Sequence, residues 1–316
     1  MNIVFIGSQT IGFHCIEKLL QLGASVSGIV TFAPETHETW GHSLVELAQA
    51  RGIPLFVAQG RDYVEFVKEK TPDVILVAGW RHLIPQEVLE LPSLGAIGFH
   101  ASMLPKYRGF APLNWAILQG EKKTGITAFY LAEGVDTGDI LAQKEVDIGP
   151  DEYIATLKER IDQKAVEIVE ELYPLLEAGN APRRKQDHAQ ASYGCLRVPE
   201  DGKIDWNQPA ERICRLVRSL AHPYPGAFTT YRGKRVVIWK ASLDVSSMPV
   251  FGRPGQVAFF HPGKPAHIVT GEGLLCVEEV QEGTGPRMPA GDYLKSLRVR
   301  LGDADGMDWT PGGFHG

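Results

Sequence analysis

Two polar residues that follow apolar runs, His100 and Asp136, are the candidates for chemistry in this sequence. His100 ends the run GAIGFH and leads into ASMLPKYRG, whereas Asp136 lies between Gly134 and Gly138 in YLAEGVDTGDIL. Histidine titrates closest to physiological pH among the side chains, so it can donate or accept a proton there, and a carboxylate can orient it. The glycines allow a sharp turn or a close approach to a ligand. An acid–base pair is therefore the hypothesis, and a structural histidine beside an Asx turn is the alternative.

Alternating strand and helix signals over the first 150 residues would position this pair. The segments in chain order are NIVFIG, TIGFHCIEKLLQLG, SVSGIVT, SLVELAQARG, IPLFVA, DYVEFVKEKTP and DVILVAGW. Strands that are apolar on both faces predict a doubly wound, mostly parallel, Rossmann-like α/β sheet covered by helices. Ligands bind beyond the carboxyl ends of such strands, and we expect the loops of both His100 and Asp136 there. The turn GSQTIG is not G-x-G-x-x-G, so it predicts a tight turn and no dinucleotide site.

The pattern of polar and apolar residues changes twice after residue 150. A long amphipathic helix is predicted over 151–177, which completes an α/β domain of residues 1–180. Residues 181–200 are polar and contain the basic run PRRK, which is typical of a solvated linker. Short strands with glycine turns over 201–305 predict a small, mainly β, OB-like barrel, with a tail at 306–316.

The composition of the chain limits which kinds of protein it can be. The 316 residues carry a net charge of −6, which weighs against a general nucleic-acid binder without excluding a local basic groove. No apolar run approaches the roughly 20 residues that span a bilayer, and the start does not read as a signal peptide. The four cysteines are far apart and lack metal-ligand spacing. We expect reduced thiols, no metal and a cytoplasmic protein without membrane partners.

The longest motif resembles the 10-formyltetrahydrofolate-dependent formyltransferase family. FHASMLPKYRGFAPLNWAILQGEKKTGIT followed by EGVDTGDIL matches the family pattern Asn-x-His, x-Ser-Leu-Leu-Pro-x-x-x-Gly and a later Asp, through His100, Ser102, Pro105, Gly109 and Asp136. The likeness continues to about residue 300 through DGKIDWNQPAERICRLVRSLAHPYPGAF and GEGLLCVEEVQ. Residues 1–180 then correspond to the formyltransferase catalytic domain.

The resemblance implies that an amine attacks the formyl carbon of the folate through a tetrahedral oxyanion. His100 would stabilise or protonate the oxyanion, and Asp136 would hold the imidazole and help move protons. The chain departs from the family at Gly98, where the family has Asn. Three alternatives follow: another oxyanion donor, a slow or differently tuned enzyme, or an inactive folate-binding relative. We favour an active enzyme, because a residual rate survives the loss of one oxyanion donor.

Ligand contacts are implied by the same resemblance. The pterin of 10-formyltetrahydrofolate is placed between two loops, and the co-substrate residues are Trp80, Arg81, His82, Leu83, Ile84, Ser102, Leu104, Val135 and Asp136. The acceptor residues are Trp40, Tyr107, Arg108, Gly109, Pro112 and Asn114. Packing is an equally good explanation for Trp40 and for the segment APLNW.

The acceptor is the least determined part of this interpretation. The motifs RHLI, LPKYRG, APLNW and HPYPGAF are closer to the UDP-4-amino-4-deoxyarabinose formyltransferase domain than to methionyl-tRNA formyltransferase. The stretch TFAPETHETWGHSLVE has no Lys or Arg, and phosphate binding needs cations. A small-molecule amine, best an amino-sugar nucleotide, is therefore predicted, and tRNA is not expected as a partner. Methionyl-tRNA formylation, hydrolysis of the formyl group and a folate-binding pseudoenzyme are the alternatives, and a homo-oligomer stays open.

Overall fold

The structure is a computed structural model that describes residues 1–33, 43–246 and 248–302. The chain divides into two compact units. The first contains Met1–Leu113, Lys122–Ile148 and Leu157–Leu196. The second contains Asn114–Glu121, Gly149–Thr156 and the described residues from Arg197 onward.

A seven-stranded sheet forms the centre of the first unit. Its strands, with the short pair β6 and β9, are β1 (Asn2–Gly7), β2 (Ser25–Phe32), β3 (Leu55–Ala58), β4 (Val74–Ala78), β5 (Ala96–His100), β6 (Arg108–Gly109), β7 (Lys123–Tyr130), β8 (Ile140–Asp147) and β9 (Tyr193–Gly194). The order β3-β2-β1-β4-β5-β7-β8 is parallel through β5, and β7 and β8 are antiparallel to their neighbours. The predicted mostly parallel α/β sheet is confirmed. The central strands β1 and β4 are buried along nearly their whole length, which explains their continuous apolar runs.

Helices connect these strands. They are α1 (Gln9–Gln21), α2 (Leu44–Arg51), α3 (Val64–Lys70), α4 (Gln86–Leu89), α5 (Pro112–Gln119) and α6 (Ile154–Glu177). The start of α2 is capped by the Ser43 hydroxyl, which accepts from the Glu46 amide, and Gly52 ends it in the left-handed region. The helix predicted over 151–177 begins three residues later than expected. Its buried residues recur every three or four positions, which is the spacing of one helix face.

The second unit is built on an antiparallel sheet. Its elements are α7 (Ala210–Leu220), β10 (Ala227–Tyr231), β11 (Lys234–Leu243), β12 (Val257–Phe260), β13 (Ala266–Val269), β14 (Leu274–Glu282), β15 (Met288–Pro289) and α8 (Ala290–Tyr293). The order is β10-β11-β14-β13-β12, with β15 on β14. The predicted hairpin is present, and its two turn residues, Arg232 and Gly233, both have positive φ. Residues Ile213 and Val217 of α7 pack into the core of this sheet.

Neither a membrane span nor a metal cluster is found in the part of the chain that the structure describes. No helix there has both the length and the apolarity needed to cross a bilayer. No group of three His, Cys, Asp or Glu side chains among the described residues is arranged to hold a metal ion.

The four cysteines are free and differ in exposure. Cys15 and Cys214 are buried, and burial raises the pKa of both thiols, with the Asp162 carboxylate adding to the effect at Cys15. Burial also raises the pKa of the half-buried Cys276 thiol. Only Cys195 is exposed. Because a thiol must be accessible to react, modification is expected first at the exposed Cys195 and later at the other three cysteines.

We expect a thiol reagent such as DTNB at neutral pH to modify Cys195 rapidly and the other three cysteines slowly. The measurement is the release of chromophore from native protein, compared with protein unfolded in guanidinium. Cys195→Ser should remove the fast phase and leave the slow one. A fast phase that persists in this variant would show that one of the buried thiols is accessible.

Candidate active site

Strand β5 presents His100 at its last position. Side chains at alternate positions of a strand share a face, so Gly98 and His100 lie on the same side of the sheet. The His100 ring is buried, and its Nε2 lies 2.7 Å from the carbonyl oxygen of Tyr107. A carbonyl oxygen only accepts hydrogen bonds, so Nε2 carries a proton. The nitrogen available to take up a further proton is therefore Nδ1.

Asp136 reaches this ring from the loop between β7 and β8. We expected both loops at one edge of the sheet, but β7 is antiparallel to β5, and Tyr130, its last residue, pairs with Ile97 near the start of β5. The two side chains meet because the loop of residues 131–139 turns back along β5. Asp136 Oδ2 then lies 3.5 Å from His100 Nδ1, an ion-pair contact when the ring is protonated.

Backbone geometry in this loop explains its glycines. Asp136 has a φ of 53° and Gly134 a φ of 98°, both in the left-handed region that most side chains avoid. A Cβ on Gly138 would collide with the carbonyl oxygen of Tyr130. Asp tolerates the left-handed conformation better than most residues. An aspartate between two glycines therefore fits the backbone of this turn, in addition to the role predicted for its carboxylate.

The turn after His100 is held by its own hydrogen bonds. The Ser102 hydroxyl donates to the carbonyl of Lys106 at 2.6 Å, and the Leu104 amide donates to Thr127 Oγ1 at 3.2 Å. Ser102 and Leu104 are both buried, so the geometry favours a role in shaping the turn over contact with a ligand. The turn ends at Gly109, whose amide donates to Asp136 Oδ2 at 2.7 Å.

A side chain at position 98 would require the tip of the Leu131 side chain to move. A Cβ built on Gly98 would lie 2.6 Å from Cδ2 of Leu131 and 3.2 Å from Cε1 of Phe129. Leu131 belongs to the loop that carries Asp136, and its amide donates to the carbonyl of Ala96 in β5. An apolar side chain therefore occupies the space into which an Asn at position 98 would extend.

Arg108 is only 2% exposed although it was predicted to contact the acceptor. Its guanidinium donates to Gln186 Oε1 at 2.6 Å and to the Tyr193 hydroxyl at 3.1 Å, and it lies 3.0 Å from His188 Nδ1. The strands β6 and β9 pair at this point, which brings residues 186–194 beside the His100 turn. Gln186 and Tyr193 were not predicted as site residues, and both lie in the segment interpreted as a linker.

An aromatic group marks the loop predicted to bind the pterin. The ring of Trp80 lies 5.1 Å from that of Phe32, 5.7 Å from Tyr63 and 5.8 Å from His82, measured between centroids. Within the described residues, the indole N–H of Trp80 and the hydroxyl of Tyr63 are buried without a hydrogen-bond partner. Aromatic faces with unsatisfied polar atoms suit a flat heterocycle with polar edges, so these residues fit a pterin.

The other predicted co-substrate contacts, in this loop and in the loop that carries Asp136, differ in exposure. Arg81, Leu83 and Val135 are exposed and Ile84 is half-buried. The guanidinium of Arg81 lies 5.2 Å from the centroid of the Phe32 ring. Phe32 and Tyr63 were missed, and the only sequence signal for Phe32 was an aromatic residue at the carboxyl end of a predicted strand.

The remaining acceptor residues are spread out. Tyr107 has a φ of 56° and supplies the carbonyl that fixes His100. Pro112 is the first residue of α5, and Asn114 is buried in the second unit, where its amide donates to the carbonyl of Ser219 at 2.7 Å. Trp40 lies outside the described residues.

Comparison with known proteins shows which family the chain is similar to. Residues 1–172 match the family described as "Formyl transferase", and residues 197–298 match its C-terminal domain. A methionyl-tRNA formyltransferase of Geobacter metallireducens is 36% identical over 311 residues, which cover 96% of this chain and 97% of that protein. One of Clostridioides difficile is 35% identical over 96% of this chain and 99% of that protein.

Solved structures show the same fold. An N-formyltransferase from Helicobacter canadensis, in complex with folinic acid and dTDP-3-aminofucose, has a TM-score of 0.71 at 17% identity and covers 89% of this chain and 99% of that one. HypX from Aquifex aeolicus has a TM-score of 0.68 at 21% identity over 94% of this chain, which spans only 48% of HypX. With a family match over more than half its length and full-length relatives above 30% identity, the chain belongs to the formyl transferase family, whose members are folate-dependent enzymes that use formyltetrahydrofolate.

Proposed function

We propose that this protein transfers the formyl group of 10-formyltetrahydrofolate to a primary amine, and that the amine is the α-amino group of methionyl-tRNA. The observation that carries the reaction class is the contact between His100 Nδ1 and Asp136 Oδ2 on the face of the sheet that Gly98 shares. The observation that favours the acceptor is the set of full-length relatives named methionyl-tRNA formyltransferase.

Proton movement in this reaction follows from the tautomer of His100. Nε2 is held as an N–H by the carbonyl of Tyr107, so Nδ1 takes the proton that the attacking amine loses. The imidazolium that results lies beside the Asp136 carboxylate, which stabilises its charge. A new C–N bond to the acceptor forms, the bond from the formyl carbon to the folate nitrogen breaks, and Nδ1 returns its proton to that nitrogen.

Stabilisation of the oxyanion differs from the family pattern. The side chain that the family places two residues before the histidine is absent, and Leu131 and Phe129 surround the position. The N–H of protonated His100 Nδ1 is then the side-chain donor beside the reacting carbonyl. We infer that this chain stabilises the oxyanion with one donor fewer than its relatives and turns over more slowly.

Folate binding is assigned to the aromatic group at Trp80. The buried Trp80 N–H is a donor for a polar edge of the pterin, and the rings of Phe32 and His82 supply apolar faces. Val135 and Leu83 are exposed apolar side chains in the two loops that the resemblance places around the ligand. Pterin burial would satisfy the Trp80 donor and cover these side chains.

A second acceptor, an amino-sugar nucleotide, is favoured by one observation. Residues 31–47 contain three Glu and no Lys or Arg, whereas a segment that grips tRNA phosphates needs cations. A nucleotide sugar carries two phosphates, so its binding needs far fewer cationic side chains than binding of the acceptor stem of a tRNA. This candidate keeps the same His100 and Asp136 chemistry and changes only the amine.

Tetrahydrofolate release, followed by absorbance with 10-formyltetrahydrofolate as donor, separates the candidates. We expect release to depend on methionyl-tRNA and to stop when the amino acid is removed from the tRNA. Release only with a 4-amino- or 3-amino-sugar nucleotide would establish the second candidate. Release without any amine would mean hydrolysis, and tight folate binding without turnover on any amine would mean a pseudoenzyme.

A further inference from the structure

We infer that Gln186 is a positioning residue that holds the Asp136 loop against His100, an inference that rests on the proposed formyl transfer. Gln186 lies between α6 and β9 and is 6% exposed. It is 50 residues from Asp136 in sequence and belongs to the same compact unit. No feature of the local sequence sets it apart from the polar residues around it.

Every hydrogen-bonding group of the Gln186 amide is used. Nε2 donates to the carbonyl oxygen of Asp136 at 2.9 Å and to that of Gly138 at 2.7 Å. Oε1 accepts from Nη2 of Arg108 at 2.6 Å. One side chain thus joins the loop that carries the carboxylate to the turn that follows the histidine.

Arg108 determines which end of the Gln186 amide faces the loop that carries Asp136. Its guanidinium is buried, and the described residues bonded to it are Gln186, Tyr193 and His188, none of which is a carboxylate. A guanidinium has donors and no acceptor, so it turns the Oε1 end of Gln186 towards itself and leaves the two N–H groups to face the loop. Gly109, the next residue, donates from its backbone to Asp136 Oδ2.

The loop needs these external bonds because Asp136 is in the left-handed region, with a φ of 53°. A non-glycine residue keeps such a conformation only where its surroundings impose it. Gln186 holds the backbone of Asp136 and the Gly109 amide holds its carboxylate, so the two bonds together set the distance from Oδ2 to His100 Nδ1. Without the first bond, the loop can relax away from the ring.

Two substitutions distinguish the role of the Gln186 acceptor, Oε1, from that of its donor, Nε2. Gln186→Glu keeps an acceptor for Arg108, now as a charged pair, and removes both donors to the loop. Gln186→Met removes both halves and leaves the Arg108 guanidinium without this partner. We expect kcat to fall about 10- to 100-fold in both variants with little change in KM for the folate, by analogy with the loss of outer-shell partners that orient metal ligands.

Melting temperature separates a positioning effect from a loss of folding. It is expected to fall in Gln186→Glu, because a carboxylate oxygen would face the carbonyl oxygens of Asp136 and Gly138, and in Gln186→Met, because Arg108 loses a partner, whereas kcat is expected to fall at temperatures where both variants are folded. If kcat also falls in Gln186→Met, which carries no charge, then the new negative charge of Gln186→Glu is not the cause of the lower kcat. In Gln186→Glu, the Gly109 amide proton should also exchange faster with solvent, measured by NMR.

Gln281→Glu is the matched control. Gln281 accepts from the Trp239 indole N–H and donates to the carbonyl of Gly285, so the same change removes the same kind of bond in the second unit. Its kcat should equal that of the wild type. Wild-type kcat in Gln186→Glu, or activity that tracks melting temperature across all variants, overturns the inference. An inactive wild type would instead refute the proposed function.

Discussion

Replacement of His100 by alanine is expected to lower kcat by about 10²- to 10⁴-fold, the usual contribution of a positioned proton-transfer group. The variant should fold, because the ring makes one hydrogen bond to the Tyr107 carbonyl and an ion-pair contact with Asp136. Asp136→Asn should also lower kcat strongly while preserving shape, since its amide oxygen can still accept from the Gly109 amide. The loss in this variant reports the missing charge beside the imidazolium.

The double variant tests whether the two residues act as a unit. Residues that share one proton-transfer step have non-additive effects, so His100→Ala with Asp136→Asn should be little slower than His100→Ala alone. The measurement is single-turnover formyl transfer, with circular dichroism to verify folding. Multiplicative losses would mean that the two groups act in separate steps, and wild-type rates from either single variant would remove the mechanism.

His267→Ala is the control for loss of a histidine paired to a carboxylate. His267 Nδ1 lies 2.8 Å from Asp244 Oδ2 in the second unit, so the local chemistry is similar. The His267 variant is expected to keep the wild-type kcat. An equal loss at His267 and His100 would show that the assay reports stability rather than catalysis.

The second large effect is expected at Gly98, where restoring the family Asn should work only when Leu131 is also reduced. Gly98→Asn alone places a Cβ 2.6 Å from Leu131 Cδ2, a separation that side chains do not tolerate without movement. This variant should shift the tip of the Leu131 side chain and lose some stability, and its kcat should not rise above that of the wild type. Leu131→Ala with Gly98→Asn removes the clash and gives the amide room beside the reacting carbonyl.

We expect the double variant to exceed the wild-type kcat by up to about 10²-fold, the lower end of what one oxyanion donor contributes. Leu131→Ala alone is the control, and it should lose stability through the cavity it leaves without gaining rate. Kinetics and thermal melts of all four proteins complete the cycle. If Gly98→Asn alone gains as much as the double variant, Leu131 is no obstacle; if the double variant gains nothing, the native site already has a second donor.

Local sequence pattern was sufficient to predict the main helices and strands and to select His100 and Asp136 as candidate reacting residues. Continuous apolar runs predicted the buried parallel strands, and the Arg-Gly pair at 232–233 predicted the hairpin of β10 and β11. The type and setting of His100 and Asp136 identified them, because an imidazole at a strand end and an acid between two glycines are visible in a few residues. The family motif added the reaction class and the expected Asn, and thereby showed that Gly98 is unusual.

Tertiary structure decided how these residues meet. The direction of β7 put the Asp136 loop at the far end of β5, and only its fold back along the strand brings Oδ2 to His100. The contact of Leu131 with Gly98 and the bonds of Gln186 to the Asp136 loop join residues 33 to 50 positions apart. Propensity and periodicity act over a few residues, whereas such contacts depend on strand direction and on which side chains fill the same space. For this reason the sequence alone was enough to predict which groups do the chemistry, and the packed chain decided which groups hold them in place.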